Sequence, residues 1–191
     1  MRALRDIFIS MALFLLVFWG FPVYADFNLT TSWERPVQFK VIDIESEEPL
    51  AQPLLIIKSE KHTESSAAPI AFYDVIKGSV TGQAEYKVDE KSTVAEVWAI
   101  VSGYKLTTHR ILWKELPARQ MDSSGMEVNI PTITLTLKPV GKASDWQREF
   151  RLVIAPELED LLQLKPPYLS GDEHRAISEF LNRERDRMLG L

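Results

Sequence analysis

The sequence predicts a mainly β protein: an antiparallel seven-stranded β-sandwich over residues 26–139, followed by a helical C-terminal extension over 140–191. Three observations predict this fold class. Short segments in which apolar and polar side chains alternate recur along the chain, which is typical of strands. Polar turn residues separate these segments. Between them no segment has the helical period, which disfavours a parallel α/β sheet.

The segment 93–104 is the strand around which we expect the others to be arranged. One of its faces carries no charge and is expected to turn toward the core: Thr93, Ala95, Val97, Ala99 and Val101. The other face is mixed, which suits a partly covered surface: Val94, Glu96, Trp98, Ile100 and Ser102. Gly103 then breaks the strand. We expect Tyr104 at the corner that follows, half-buried, with its hydroxyl open to a partner.

The strands before this segment either alternate or are apolar on both faces. We predict them, in chain order, at 36–44, 50–59, 70–76 and 83–89. In the first, Val37, Phe39 and Val41 share the face that we expect to be buried. The second contains the run 54–57, which is apolar on both faces, as in a central strand. The third is ambiguous between a strand and one turn of helix, and we favour a strand.

Further strand signals follow the segment 93–104. The strand 105–113 alternates poorly, so we expect it at an edge or in a twisted position. Before Pro131, one set of side chains points one way: Met126, Val128 and Ile130. After it the phase moves by one residue, and another set points inward: Ile133, Leu135 and Leu137. A phase slip at a proline predicts a bulge or a strand that switches sheets.

The pattern changes after Pro139, where helix signals begin. Ser144 and Gln147 match a capping box that would open a short helix at Asp145. The alternative is one more strand, over 150–154. A second helix is predicted over 156–164, because a proline stands in its first position and acidic residues follow in its first turn.

The last predicted helix begins at a second capping box. Ser170 and Glu173 form this box, and the helix would end near Met188. Four apolar residues make one stripe along it: Ala176, Ile177, Phe180 and Leu181. Glu179 and Arg183 are spaced for an ion pair on the opposite side. A stripe this narrow can lie on a sheet or bind a partner, but it does not fold alone.

The N-terminus matches a secretory signal peptide. Arg2 and Arg5 precede an uncharged apolar run over 7–17, and Pro22 precedes a small-residue cleavage site ending at Ala25. We predict cleavage after Ala25 and a periplasmic or secreted protein; the alternative is an uncleaved signal anchor. The chain has no cysteine, which excludes disulfides and lipid acylation and favours a periplasm.

The charge distribution excludes one class of partner. The formal net charge is −5 and basic residues are not clustered in the sequence, whereas a nucleic-acid surface needs a basic patch. The same balance supplies no attraction to an anionic membrane. We therefore expect no nucleic-acid partner, and membrane contact only through an uncleaved signal segment.

No residue set matches a catalytic or metal signature. His62, His109 and His174 fall in a loop, a strand and a helix without the spacing of metal ligands, and we interpret them as surface residues. The chain has no nucleophile-elbow motif for serine catalysis. Paired carboxylates lie in turn-like polar runs, where solvation explains them. We predict no enzyme activity, no catalytic residue, no metal and no cofactor.

Three motifs within 36–139 resemble the carboxypeptidase regulatory-like and transthyretin-like family. They are FKVID with EPL at 39–43 and 48–50, TxxAxYxV at 81–88, and VxAxVSGY at 97–104. In the second, Ala84 replaces the usual glycine. The resemblance implies a non-enzymatic module used for display, for supporting a larger partner, or for binding glycan or protein. One branch of the family hydrolyses a purine breakdown product with a C-terminal Tyr-Arg-Gly-Ser. This chain ends Met188-Leu189-Gly190-Leu191, so that activity is not carried over.

The sequence therefore predicts an exported interaction or structural module that binds an envelope protein. We expect six residues to contribute to binding: Trp98, Tyr104, Trp113, Ile177, Phe180 and Leu181. The alternative is a carbohydrate-binding module that uses exposed aromatic rings, and a hydrolase is more remote. For Trp98 we favour cover by the C-terminal helix, because the apolar stripe of that helix needs a surface to bury.

Overall fold

The computed structural model describes residues 34–61, 69–89, 92, 94–117, 123–124 and 129–190. The predicted signal peptide lies outside the described residues, as do His62, Met126 and Val128. The described part of the chain contains the predicted number of strands: β1 (Glu34–Asp43), β2 (Leu54–Lys61), β3 (Ile70–Lys77), β4 (Gln83–Asp89), β5 (Val94–Ile100), β6 (Thr107–Leu112) and β7 (Thr132–Leu137). The ambiguous third segment is a strand, as we favoured.

One sheet has three strands in the order β4-β1-β7. Strands β1 and β4 are antiparallel, but β1 and β7 are parallel, with Phe39 opposite Ile133 and Val41 opposite Leu135. The prediction of an entirely antiparallel fold is therefore wrong for this pair. A short hairpin forces antiparallel pairing, whereas β7 reaches β1 after a long connection from the other sheet, which permits either direction.

The other sheet has four antiparallel strands in the order β3-β2-β5-β6. Its two interior strands are β2, which is apolar on both faces, and β5, around which we expected the others to be arranged. Strand β6, which alternates poorly, is an edge strand. Gly103 follows β5 with φ of 87°, in the left-handed region that favours glycine.

A hydrophobic core joins the two sheets. Strands β1, β4 and β7 contribute buried side chains from one sheet, and β2 and β5 contribute them from the other: Val37, Phe39, Val41, Leu55, Ile57, Ala84, Val88, Ala95, Val97, Ala99, Leu135 and Leu137. The inward rows predicted for β1, β5 and β7 are confirmed for their described members; Thr93 lies outside the described residues. Ile130 is 45% exposed and lies in the loop before β7, while Met126 and Val128 of its row lie outside the described residues.

The C-terminal part of the chain consists of helices and the loop between them. Helix α1 (Ala143–Glu149) continues through one wide π-helical turn (Phe150–Ile154) into α2 (Ala155–Leu161), and α3 (Gly171–Leu189) follows after a loop. The alternative of a strand over 150–154 is therefore wrong. The first capping box is wrong as well, because Lys142 has the extended N-cap backbone and its carbonyl accepts from the Asp145 and Trp146 N–H groups.

The second capping box is confirmed at the start of α3. The Ser170 hydroxyl accepts from the Glu173 N–H, and the Glu173 carboxylate accepts from the Ser170 N–H. Glu179 forms its ion pair with Lys77 of β3 and not with Arg183, because α3 lies beside that strand. The pair between Glu179 and Arg183 expected from sequence spacing is therefore wrong.

The helices form a layer on the outer face of the four-stranded sheet. Leu54, Ile56 and Ile100 point away from the inter-sheet core and are buried by this layer. The helices contribute the other buried members of the cluster: Trp146, Phe150, Ile154, Ala155, Leu158, Leu161, Ile177, Phe180 and Leu181. The apolar stripe of α3 therefore packs on the chain's own sheet.

Candidate functional site

A buried carboxylate links the helical layer to the end of β5. Glu184 of α3 is 1% exposed, and its Oε2 accepts hydrogen bonds from the Trp146 Nε1–H at 3.2 Å and the Ser102 hydroxyl at 2.9 Å. Arg187 donates to the same Ser102 hydroxyl. A buried carboxylate is stable only when hydrogen-bond donors replace the lost water, and the Trp146 and Ser102 side chains supply these donors. These contacts hold α1, α3 and the sheet in one arrangement.

The helical layer also closes one edge of the four-stranded sheet. On edge strand β3, the Tyr73 N–H donates to the Tyr168 carbonyl and the Val75 N–H donates to Glu173 Oε1, each at 3.1 Å. The rings of Phe72 and Tyr168 lie 5.9 Å apart over the same edge. Unpaired edge groups invite pairing with another chain, so the extension protects β3.

A further surface with exposed apolar side chains lies in the helical layer, at the π-helical turn. Phe150 and Ile154 are buried there, while the three residues between them face solvent. Leu152 is 67% exposed and Val153 39% exposed, which makes them the only adjacent pair among the exposed large apolar side chains in the described residues. A π-helical turn inside an α-helix is frequently found at functional sites.

Leu152 and Val153 border a surface groove of about 570 Å³, which we call the π-turn groove. The loop after β7 and helix α1 form its walls. Its lining residues are Lys105, Lys138, Pro139, Val140, Gly141, Asp145, Arg148, Glu149, Leu152 and Val153. The groove therefore combines an apolar surface with charged side chains.

The groove is positioned by backbone contacts between the two sheets. The Lys105 N–H donates to the Lys138 carbonyl at 3.0 Å, and the Val140 N–H donates to the Gly103 carbonyl at 2.8 Å. Glu149 Oε1 accepts from the Leu106 N–H at 3.4 Å. These bonds tie the segment after β7 to the segment after β5 and place α1 beside both.

Three basic side chains of the groove have no polar partner among the described residues. The side chains of Lys105, Lys138 and Arg148 have no hydrogen bond or ion pair with any described residue. Outside the groove some cations pair with carboxylates, as Lys58 does with Glu96 at 3.5 Å and Arg185 with Glu159, whereas others such as Lys87 do not. The groove therefore presents three unpaired positive charges beside exposed apolar side chains.

The residues predicted to contribute to binding lie in two different layers. Trp113 and Tyr104 belong to the inter-sheet core, where Trp113 is buried and Tyr104 partly buried. The other four lie between the sheet and the helices: Trp98, Ile177, Phe180 and Leu181. Trp98 is partly buried there, under the helical cover that we favoured. In this arrangement Ile177, Phe180 and Leu181 contact the chain's own sheet.

Tyr104 has a partner within the chain. Its hydroxyl donates to Asp43 Oδ2 at 2.8 Å, while Asp43 Oδ1 accepts from the Glu45 and Ser46 N–H groups. The Glu45 N–H, followed by the Tyr104 hydroxyl, lowers the pKa of Asp43. Burial, followed by the Asp43 carboxylate, raises the pKa of Tyr104 to about 12. The hydroxyl expected to be open to a partner is thus used to fasten the corner to the turn after β1.

His109 is not the surface residue that the sequence suggested. It lies opposite Val97 on the core-facing side of β6, and its buried Nε2 has no hydrogen-bond partner among the described residues. Alternation along β6 was too weak for sequence reasoning to assign its face. His174 is partly buried, with its Nε2 at 3.2 Å from the Leu162 carbonyl.

The burial of His109 predicts a pH-dependent stability. Burial lowers its pKa from 6.5, and a hydrogen bond with the Thr136 backbone opposes this effect in part. As the pH falls, His109 therefore takes up a proton in the unfolded state before it does so in the folded state. The free energy of unfolding falls as the pH drops below 6.5. We expect His109→Leu to reduce this fall, measured by urea unfolding at a series of pH values.

The control for this prediction lies in the pH range where histidine is neutral in both states. Above about pH 7.5 the difference in unfolding free energy between wild type and His109→Leu should stay constant. An unchanged pH dependence between neutral pH and pH 5 in the variant would contradict the assignment to His109.

Neither a membrane-spanning helix nor a cluster of metal ligands is present among the described residues. No helix in this part of the chain combines the length and the apolar character that a membrane span requires. No group of three or more histidine, aspartate or glutamate side chains there is arranged to hold a metal ion.

Sequence reasoning missed the groove. Its cations are far apart in the sequence, at Lys105, Lys138 and Arg148, so no basic cluster was visible. The one available signal was the segment 150–154, which the sequence left open between the end of a short helix and one more strand.

Comparisons with known proteins identify no family. No protein-family model matches the chain, and no curated protein sequence matches it. Among solved structures, 56% of the chain is similar to a hydroxyquinol 1,2-dioxygenase from Pseudomonas putida DLL-E4, with 9% identity, a TM-score of 0.37 and 57% of that chain covered. The pilus adhesin RrgA from Streptococcus pneumoniae is matched over 56% of this chain and 15% of its own, with 14% identity and a TM-score of 0.36.

A third solved structure gives a similar result. It is a 9R-lipoxygenase from Cyanothece PCC8801, matched over 56% of this chain and 16% of its own, with 14% identity and a TM-score of 0.30. In all three cases the match spans less than two thirds of the other protein. TM-scores this low assign neither a family nor a function.

Proposed function

We propose that this chain is an exported, non-enzymatic binding module whose two sheets form a carboxypeptidase regulatory-like β-sandwich, and that it binds an envelope protein through the π-turn groove. The observation that carries the proposal is the exposed pair Leu152 and Val153 at the rim of a groove of about 570 Å³. Adjacent exposed apolar side chains beside a concavity are typical of protein interaction sites.

The positions of the tryptophans favour a protein partner over a sugar. Trp113 and Trp146 are buried, and Trp98 is partly buried under the helices. Among the described residues, therefore, no tryptophan ring forms the exposed platform that a carbohydrate-binding module uses. The export signal predicted from the sequence supports an envelope location for the partner.

A pull-down with point variants tests the proposal. We expect Leu152→Ser/Val153→Ser to lose the partner that the wild-type chain captures from the envelope fraction of its own cells. The matched control is Ile44→Ser/Val80→Ser, because these two side chains are also exposed but lie outside the groove. Equal recovery by both double variants would show that the groove is not the docking surface.

A further inference from the structure

We infer, on the basis of the proposed function, that the π-turn groove accepts an acidic segment of a partner protein with an apolar side chain among its carboxylates. The inference joins two properties of the same surface. Lys105, Lys138 and Arg148 supply positive charge at its rim, and Leu152 and Val153 supply exposed apolar area. A ligand that satisfies both must carry negative charge and an apolar anchor together.

Charge complementarity supplies the first argument. The whole chain is acidic, with a net charge of −5. In the groove the balance is reversed, with three cations and two carboxylates in the lining. Of those carboxylates, Glu149 already accepts from the Leu106 N–H. Carboxylates from a partner would therefore find unpaired cations.

The apolar part supplies the second argument. The π-helical turn contains more residues than a turn of α-helix. Three consecutive residues, 151–153, therefore face outward while Phe150 and Ile154 stay buried. Pro139 and Val140 continue the apolar surface across the groove. A groove of this kind receives one side chain of an incoming segment, which gives contact area that charge alone does not.

A protein segment fits these features better than a lipid surface does. Asp145 and Glu149 stand among the cations, and a uniformly anionic membrane would meet their repulsion. The surface is also a groove, which an extended protein segment can enter and the flat surface of a bilayer cannot. An anionic segment of a protein can place its charges beside the cations and away from the two carboxylates.

The direct test uses labelled peptides and the full chain. The probe is a short fluorescein-labelled peptide with glutamates around a central leucine, followed by fluorescence anisotropy. Two matched peptides replace the glutamates by lysines or the leucine by serine. We expect the acidic apolar peptide to bind about tenfold more tightly than either control, with affinity falling as the salt concentration rises.

Charge reversal in the protein provides the specific control. Lys138→Glu/Arg148→Glu should weaken binding of the acidic peptide about tenfold or more and should gain binding of the lysine peptide. Lys87→Glu/Lys114→Glu makes the same change in net charge at exposed positions outside the groove and should bind like wild type. Thermal unfolding of each variant shows that the fold is retained.

Each outcome separates this inference from the proposed function. Equal binding of all three peptides, or no effect of the groove reversal, would overturn the inference. Binding only to vesicles that contain phosphatidylglycerol, and to no peptide, would overturn it in favour of a lipid surface. If the Ser variants at 152 and 153 lose the envelope partner but charge reversal does not, the binding module stands and the acidic partner is wrong.

Discussion

Ending the chain after Pro139 is expected to abolish its soluble folded state. The helical layer alone covers the outer side chains Leu54, Ile56 and Ile100. Burial of each contributes about 1.5–3 kcal/mol, and the sum is comparable with the whole stability of a small domain, about 5–15 kcal/mol. The truncation also removes the groups that bond the β3 edge, which leaves that edge open to association.

Size-exclusion chromatography and circular dichroism of the truncated chain measure this effect. The matched control is the full chain with a protease site inserted beside exposed Gly141. After cleavage the two pieces have the same break in the backbone but should stay associated, because the interface is intact. A monomeric truncated chain with cooperative thermal unfolding would contradict the prediction.

Phe150→Ala is expected to destabilise the protein by about 3–5 kcal/mol, the usual cost of removing a buried phenylalanine ring. Phe150 is 2% exposed at the start of the π-helical turn. Its ring lies 5.9 Å from that of Trp146 and 6.5 Å from that of Phe180, so its loss opens a cavity between α1 and α3. Urea unfolding of wild type and variant measures the difference.

The control for this substitution lies two residues along the same turn. Leu152→Ala removes a side chain that is 67% exposed, and should change the free energy of unfolding by no more than about 0.5 kcal/mol. Similar losses in the two variants would mean that the π-helical turn does not separate a buried residue from an exposed one. That result would also remove the geometric basis of the groove.

The strands could be predicted because their signal is local. In β1, β4, β5 and β7 every second side chain is apolar, and a pleated strand places those side chains on one face whatever the rest of the chain does. The capping box at Ser170 and Glu173 is local in the same sense, since both partners lie within one turn. The first capping box failed because Lys142 begins the helix earlier than Ser144.

Other features depend on residues that are distant in sequence. The ion pair of Glu179 was assigned to Arg183 by helical spacing, but the proximity of Lys77 on β3 gives it another partner. The environment of His109 depends on a neighbouring sheet, because Thr136 of β7 contacts it. No pattern within β6 contains that information.

The order of apolar and polar residues determined by itself that the described part of the chain forms seven strands followed by helices, and which rows of side chains are buried between the sheets. Only the tertiary structure decided that β7 runs parallel to β1, that Glu184 is enclosed between Trp146 and Ser102, and that three scattered cations meet around Leu152 and Val153. The physical reason is the distance along the sequence between the residues that determine each feature. Side-chain alternation acts over a few residues, whereas strand direction, enclosure of a charge and assembly of a groove depend on long connections that bring remote segments together.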